Sequence, residues 1–490
     1  VIVVGAEGAI TRLSYAHISE ESKRLAEMMS DASIIPGDRI MVMLPRSSEW
    51  IVTMVACARL GCVSIPCITM LTAGDLAYRV EHSGARAVIT TADNASKFRG
   101  DEALEVKIAT EGPVDGWLDY RSLDEFSADG ASAARVRSSD PAILYYTSGS
   151  TGGPKGVLHA AAALFVWGGA AEHWLSLDCG EVIWCTADTG WSKAGTSILF
   201  GPFSRGATTV MYDGPFDPAR RLQLIDSLGV DVFCAAATEL RRLILEPGPF
   251  RFSRLRSTVS AGESVNPELV VRWKELTGID VLDGYGQTET LMTVTNVPGR
   301  PVEPGSMGRA LPGTRIAVLD AANAVQFRSA SGELLIAAPS PQLMLGYYGE
   351  EDRTARCYLE IDNERWFKTG DNVEIDHEGN VFYLGRTDDI INSSGYRIGP
   401  QEVENALIAH PDVLECAVVG HPDNERGEIV VAFVVLVPSA EASAETLQQH
   451  VKQVTAPYKY PRRVVFVDDL PKTVSGKLRR NELRKAVLDA

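Results

Sequence analysis

Between Thr147 and Gly156 the sequence TSGSTGGPKG gathers hydroxyls, glycines and one lysine into a single short stretch. Glycines let successive backbone N–H groups converge on an anion, the hydroxyls of Thr147, Ser148, Ser150 and Thr151 add donors, and Lys155 adds a point charge. That chemistry suits the grip of a phosphate. Neither common phosphate template fits, however. A Walker loop requires Gly-x4-Gly-Lys-Ser/Thr. Here Lys155 stands at the right distance from Gly149, but Pro154 precedes it and Gly156 follows it, so the magnesium-holding hydroxyl has no slot. The GxGxxG dinucleotide fingerprint is absent. The stretch reads as a strand from Ile143, a glycine loop and then a helix, whose N-terminus would add to the anion site. A plain Gly/Ser turn is the competing reading.

Four later stretches bear on the choice: DGYGQTET (283–290), RWFKTGD (365–371), GRTDDIINSSGYRIGPQEVE (385–404) and PKTVSGKLRR (471–480). Together with YYTSGSTGGPKG they resemble, in order, spacing and identity, the signature motifs of the adenylate-forming superfamily. That superfamily holds the acyl-CoA synthetases, the peptide-synthetase adenylation domains and the luciferases. The resemblance runs over essentially the whole chain, and CTADTGW (185–191) with YGQTET is most similar to the acetate and medium-chain acyl-CoA synthetase branch.

The resemblance implies a two-step reaction with ATP, Mg2+ and coenzyme A. A carboxylate attacks the α-phosphate of ATP and pyrophosphate leaves; a thiol then attacks the acyl carbon and AMP leaves. Thr147, Ser148, Gly149, Ser150, Thr151, Gly152 and Lys155 would hold the β- and γ-phosphates. Glu289 would ligate magnesium, for which a carboxylate oxygen is suited, and Thr288 would bond the α-phosphate. Tyr285 offers a flat face to adenine, although an aromatic there is equally a core residue. Asp283, Gly284 and Gln287 lie beside it, and SAGES adds Gly262, Glu263 and Ser264. Asp371 would accept both ribose hydroxyls, since an ionised carboxylate takes several donors, with Arg386 as a second ribose or phosphate contact. Lys477 would bridge the carboxylate and the α-phosphate. For the thiol step, Ser394 and Gly395 would line the pantetheine tunnel and Arg397 would meet the AMP phosphate. Because Lys477 and Gly395 serve different steps, the small domain must turn between them, about a hinge at Asp388. The basic flank Arg479, Arg480, Arg484 and Lys485 reads as a solvated face.

Acetate-specific members of the family close the acyl pocket with tryptophan where Gly286 stands and place valine where Ala261 stands. Two small residues imply an acid larger than acetate, medium-chain or branched, with Trp191 as one wall. A free-standing enzyme that loads an aryl or amino acid onto a carrier-protein thiol shares the same motifs, and a catalytically dead nucleotide-binding protein is a further alternative. His159 and His173 read as structural residues, although His173 could line the pocket.

These residues need a scaffold. In the first third, SYAHISEESKRLAEMM (14–29) and SSEWIVTMVACARLG (47–61) carry helical periodicity, the second with Ser47 as N-cap, while DRIMVMLP (38–45) and ARAVITT (85–91) read as buried strands. Alternation of this kind predicts βαβ units and parallel sheets. Residues 110–139 read as a surface excursion. From about 305 to 385 short strands punctuated by Gly and Pro predict a small β-rich subdomain, and 385–399 shows no period. The expectation is therefore an α/β fold with a large domain over 1–387 and a small α+β C-terminal domain over 388–490.

A net charge of −17 across 490 residues excludes a sequence-independent grip on nucleic acid or anionic membrane. The eight cysteines form no zinc template and point to a reduced, cytoplasmic setting. No apolar run is long enough to span a bilayer. Val1 enters a strand at once, so a preceding segment is expected, and assembly into a homo-oligomer is left open.

Overall fold

Helices begin where local chemistry can cap them. The helix Tyr15–Asp31 follows Ser14, whose Oγ accepts the His17 N–H at 3.1 Å. Ser47 does hold the N-cap position of Ser48–Leu60, yet its side chain makes no capping bond. A third helix, Ala73–Ser83, opens on a full capping box formed by Thr72 and Asp75. The fold was determined as a computed structural model. It describes residues 1–490 apart from positions 6, 99, 101–102, 130–132, 148–152, 264, 395, 424, 439, 473–477 and 489–490, and the side chains of 397, 487 and 488.

Among the described residues the strands form four sheets. In the first, Arg39–Met43, Val63–Pro66, Ala87–Thr91 and Val106–Thr110 pair in parallel. Every residue of Val63–Pro66 and Ala87–Thr91 is buried, which is why these strands read as continuous apolar runs. In the second, Val182–Cys185, Val232–Cys234, Ser257–Ala261 and Val281–Gln287 are likewise parallel neighbours. One hydrophobic cluster joins the two sheets, taking Leu25, Trp50 and Trp167 from the helices and Ile89, Ile183 and Val259 from the strands. Thr147, Ala261 and Gln287 each end their strands. The candidate residues thus gather at carboxyl ends of strands, where open α/β sheets place ligands.

The glycine-rich stretch departs from the expectation. Pro141–Thr147 is followed by a second strand, Lys155–Ala160, which runs antiparallel to it with Thr147 opposite Lys155. The helix starts only at Ala162, and no capping side chain precedes it. The strands on either side of the glycine-rich stretch form an antiparallel hairpin, and the helix that follows begins only beyond the second strand. Val157 and the apolar Leu158 sit in a strand because the sheet continues beyond them: Gly346–Tyr347 adds to the same edge. Residues 110–139 also hold more structure than expected. Leu118–Asp119 joins the first sheet, and the turn Tyr120–Glu125 buries Tyr120 and Leu123, three residues apart.

The third sheet is antiparallel and built from Ile316–Leu319, Val325–Gln326, Ala330–Ala338, Tyr358–Ile361, Glu364–Ile375 and Val381–Arg386. In the stretch without period, Ile391–Ser393 and Tyr396–Ile398 form a small hairpin. It belongs to the fourth sheet, with Val413–Asp423, Gly427–Leu436 and Arg463–Phe466, against which the helix Pro400–Ile408 packs through Val403 and Leu407. Cys57, Cys62 and Cys67 are free and buried, as core packing requires. No described helix is long and apolar enough to cross a membrane.

Candidate active site

A cleft of about 960 Å³ opens between the strand ends of the large sheets, the antiparallel sheet and the C-terminal α+β unit. Thr147, Lys155, Gly262, Glu263, Asp283, Gly284, Tyr285, Gly286, Gln287, Thr288, Glu289, Asp371, Arg386 and Asp388 all line it. Residues from five separate motifs therefore face one space.

On one wall Lys155 Nζ lies 2.8 Å from Glu289 Oε1 and donates to Tyr347 Oη at 2.8 Å, while Tyr347 Oη donates to the same Oε1 at 2.8 Å. Burial pushes the Glu289 carboxyl up, but the Lys155 charge and the hydrogen bonds from Lys155 and Tyr347 outweigh it and hold the group below the usual carboxylate range. His159, fully buried, places Nε2 2.6 Å from the Thr288 carbonyl oxygen, to which it donates. Burial lowers its pKa, so it stays neutral and acts as a strut for the Thr288–Glu289 turn. Thr147 Oγ1 is buried with no hydrogen-bond partner among the described residues. An orphaned hydroxyl beside an ammonium is what a phosphate oxygen would satisfy. Ser148, Gly149, Ser150, Thr151 and Gly152 lie outside the described residues.

The residues fit a magnesium ion carried in with phosphate. No group of three or more His, Cys, Asp or Glu that could hold a metal exists among the described residues. Mg2+ is characteristically bound through one or two carboxylates together with substrate phosphates and water, and Glu289 supplies such a carboxylate, with no described hydrogen bond on Oε2.

Opposite stands Asp371, 4% exposed. Its Oδ2 accepts from Tyr285 Oη at 2.6 Å and from Gln287 Nε2, and its Oδ1 accepts from Arg386 Nη1 at 3.1 Å. Arg386 comes this close because Gly370 has φ +70° and no side chain; a Cβ there would stand 2.8 Å from its guanidinium. Since an ionised carboxylate offers about four acceptor positions, any further donor reaching Asp371 would share it with these three, and the half-exposed Arg386 is the one able to yield. Tyr285 belongs to a core cluster with Val294 and Met307 and also lines the cleft. Glu263 is engaged too: its Oε1 accepts the Thr238 N–H at 2.6 Å and the Thr238 hydroxyl at 2.8 Å. Asp283 is buried, and burial raises its pKa well above the ordinary value. Ser264 is outside the described residues.

From the C-terminal unit the cleft is lined by Glu404, Leu470, Lys472, Leu478, Arg479 and Arg480. Lys472 and Leu478 flank positions 473–477; Lys477 itself lies outside the described residues, while both ends of its segment stand at the cleft. The hairpin with Ser394 is not part of this wall. Ser394 donates its N–H to the Arg426 carbonyl and accepts from Arg426 Nη1 at 3.1 Å. Gly395 and the Arg397 side chain are outside the described residues. The basic flank is corrected at one position: Arg480 is paired and largely buried, not solvated.

The expected acyl pocket is only partly assembled. Gly286 lines the cleft, whereas Trp191 and Ala261 pack into the core cluster and do not line it. A second, smaller cavity of about 80 Å³ lies behind Gly286, whose strand partner is Met292. Val166, Trp167, Ala170, Leu291, Met292 and Leu311 give it an apolar lining, to which His173 and Gln342 add polar groups. A Cβ at Gly286 would stand 1.9 Å from the Leu291 carbonyl oxygen, at a β-bulge. Its smallness is therefore demanded by the backbone and is not free space.

Tyr347, 192 residues from Lys155, is a site residue that sequence reasoning missed; GYYG gave no signal of the partner it would meet. Replacing Tyr347 with phenylalanine is expected to destabilise the chain by about 1 kcal/mol, the net worth of such a bond, read as a lower urea midpoint at unchanged m-value. It should also raise KM for MgATP. An unchanged midpoint and KM would show that the hydroxyl contributes nothing to holding Glu289.

Comparisons with known proteins carry the same pattern. The family described as AMP-binding enzyme matches residues 1–348, and the AMP-binding enzyme C-terminal domain matches residues 402–477. Acyl-coenzyme A synthetase ACSM3, mitochondrial, of Mus musculus is 37% identical over 502 residues, covering 98% of this chain and 85% of its own length. The uncharacterized acyl–CoA ligase YtcI of Bacillus subtilis (strain 168) is 39% identical over 480 residues, covering 96% of this chain and 90% of its own length. Among solved structures, a Brucella canis acyl-CoA synthetase matches at TM-score 0.76 and 35% identity over 100% of this chain and 91% of its own. The anthranilate CoA ligase AuaEII in complex with anthranoyl-AMP matches at TM-score 0.90 and 26% identity over 99% and 94%.

Proposed function

Since the chain belongs to the AMP-binding enzyme family and is an AMP-forming acyl-CoA synthetase working with ATP, Mg2+ and coenzyme A, we propose that it activates a carboxylic acid larger than acetate in the cleft just described. The observation that supports this reading is the convergence of Thr147, Lys155 and Glu289 on one wall with Asp371 and Arg386 on the other. One wall suits the phosphates and the second suits the ribose, which leaves the α-phosphate between them.

In this reading Lys155, the Thr147 hydroxyl and the loop 148–152 take the β- and γ-phosphates, and Glu289 holds the magnesium ion that supplies charge neutralisation there. Lys155 has to exchange its pairing with Glu289 for the phosphates, an exchange of one anion for another that keeps the ammonium paired. Thr288 and Lys477 meet the α-phosphate as the substrate carboxylate oxygen attacks it and the bond to pyrophosphate breaks. In the second half-reaction the coenzyme A thiol loses its proton, its sulfur attacks the acyl carbon, and AMP departs. The segment 388–490 would turn about Asp388 to bring the hairpin of Ser394 and Gly395 to the cleft. Asp388, paired with Arg386 at 3.5 Å and otherwise exposed, is free to change its backbone angles.

The acyl chain would pass Gly286 into the cavity lined by Trp167, Ala170 and Met292. Each buried methylene contributes about 0.8 kcal/mol, so two extra methylenes favour butyrate over acetate by roughly tenfold or more. Pyrophosphate release across straight, branched and aromatic acids, with and without coenzyme A, tests the reading; a preference for acetate over every larger acid would overturn it. Gly286→Trp is a poor probe, because any side chain there displaces the Leu291 backbone. Gly169 lines the same cavity, and a Cβ added to it would meet nothing within 4 Å. Gly169→Leu should therefore fill the space without strain, and it is expected to cut kcat/KM for the larger acids at least tenfold relative to acetate. An unchanged ratio would place the acyl chain elsewhere.

A further inference from the structure

The segment that carries Lys477 is held at both ends by described residues. Lys472 and Leu478 form an antiparallel bridge across it, and the Arg479 N–H donates to the Pro471 carbonyl at 2.9 Å. Lys472 Nζ in turn donates to Glu415 Oε2 at 2.6 Å. Immediately beyond the stem, Arg480 opens the last helix, Arg480–Leu488.

Arg480 makes a clamp. Its two terminal nitrogens take both oxygens of Glu404, Nη1 on Oε1 and Nη2 on Oε2 at 3.0 Å, and Nη1 also donates to the Val418 carbonyl at 2.6 Å. Its Nε stands 3.7 Å from Asp389 Oδ2, and Arg484 pairs with the other oxygen of Asp389. Glu404 is 4% exposed and receives the Val418 N–H at 2.7 Å as well. One guanidinium is thus tied to the helix Pro400–Ile408, to the strand Val413–Asp423 and to the residue that follows Asp388. A planar fork matched to a carboxylate fixes orientation as well as distance, which a lysine cannot reproduce.

We propose that Arg480, through Glu404 and Asp389, is a positioning residue for the adenylate-forming half-reaction: it fixes the stem that flanks the segment of Lys477 and takes no part in thiol transfer. The proposal rests on the reading that Lys477 serves the first half-reaction alone. Its physical basis is the steep cost of misplacement, since a shift of about 1 Å in a catalytic group can cost about 10²-fold. The hairpin Ile391–Ser393/Tyr396–Ile398, which that reading assigns to the second half-reaction, is built on other contacts, including Asn392 N–H to Glu428 Oε2 at 2.7 Å.

The test measures two rates in the full chain: acid-dependent pyrophosphate release, and thioester formation from supplied acyl-adenylate and coenzyme A. Arg480→Gln is expected to lower the first about 10²-fold and to leave the second within threefold. Arg480→Lys should fall between Arg480→Gln and the parent chain. A purely structural role would depress both rates alike, because both need the folded small domain, and that result, or no loss in either, would overturn the proposal. If Arg480→Gln does not fold, Asp389→Asn weakens the outer contact, together with the Arg484 pair on the same carboxylate, and leaves the Glu404 contacts in place; the same split at smaller size supports the clamp and equal losses refute it. Lys477→Ala is run in parallel. Failure of Lys477→Ala to lower pyrophosphate release would sink the reading of the lysine, whereas its success beside an unaffected Arg480→Gln would sink the clamp alone.

Discussion

Lys477→Ala is expected to reduce adenylate formation by at least 10³-fold while leaving thioester formation from supplied acyl-adenylate within about threefold of the parent chain. The residues on either side of its segment, Lys472 and Leu478, line the same cleft as Lys155 and Glu289. A cation delivered there would face the two groups whose charges change most, the attacking carboxylate and the α-phosphate. Removing a single preorganised neutral donor from a developing anion typically costs 10²–10³-fold, and loss of a full positive charge between two anionic reactants sets a larger expectation. The second half-reaction involves neither the attack on phosphorus nor the release of pyrophosphate, so it should be spared. Pyrophosphate release and thioester formation, measured separately, check this. Equal loss of both would refute the division of labour between Lys477 and the Gly395 hairpin.

Glu289→Gln carries the second large effect, expected at 10²-fold or more on adenylate formation, with a higher magnesium requirement. The substitution preserves shape but removes the charge that Lys155 and, in the proposed reading, Mg2+ both use. It also costs stability. Truncating one partner of a fully buried pair costs about 3–5 kcal/mol, but the Lys155 side chain retains 18% exposure and is able to turn to water, so the expected loss is about 1–2 kcal/mol. The acid limb discriminates further. Glu289 is held below the ordinary glutamate value near 4.3, so its pair stabilises the fold above that pH, and the contribution is lost as the pH falls through the lowered value. Glu289→Gln should lack this part of the acid-induced loss. Magnesium titration of pyrophosphate release, with urea unfolding at pH 7 and pH 4, measures both effects; parent-like magnesium dependence would remove Glu289 from the metal site.

Much of this chain is legible locally. Continuous apolar runs such as DRIMVMLP become buried parallel strands, and Ser47 holds the expected N-cap position of its helix, though without a side-chain bond, because burial and helix starts are set over a few residues. The Gly/Pro-punctuated stretch after residue 305 becomes the antiparallel sheet for the same reason. The glycine-rich stretch misleads at its exit. KGVLHA has no helical or strand period strong enough to decide, and its strand is fixed by antiparallel pairing with Pro141–Thr147, to which Gly346–Tyr347 adds from far along the chain. The basic tail misleads for a like cause: RR after SGKL looks solvated until Glu404, 76 residues earlier, is seen to accept both nitrogens of Arg480. Tyr347 at Glu289 and the cavity behind Gly286 are equally products of distant segments.

By itself the sequence determined the residue types available and the class of catalyst: a hydroxyl- and glycine-rich loop with its lysine, the carboxylates of Glu289 and Asp371 and a late lysine, in a fixed order that specifies the family. These are properties of residue type and spacing, which a linear string carries in full. Only the tertiary structure decided which of those groups are free and which are already spoken for. Glu289 is shared by Lys155 and Tyr347, Asp371 by Tyr285, Gln287 and Arg386, and Glu263 by Thr238. Hydrogen bonds and ion pairs depend on separations of about 3 Å between atoms, and those separations are set by strand register and packing across hundreds of residues. No local pattern encodes them.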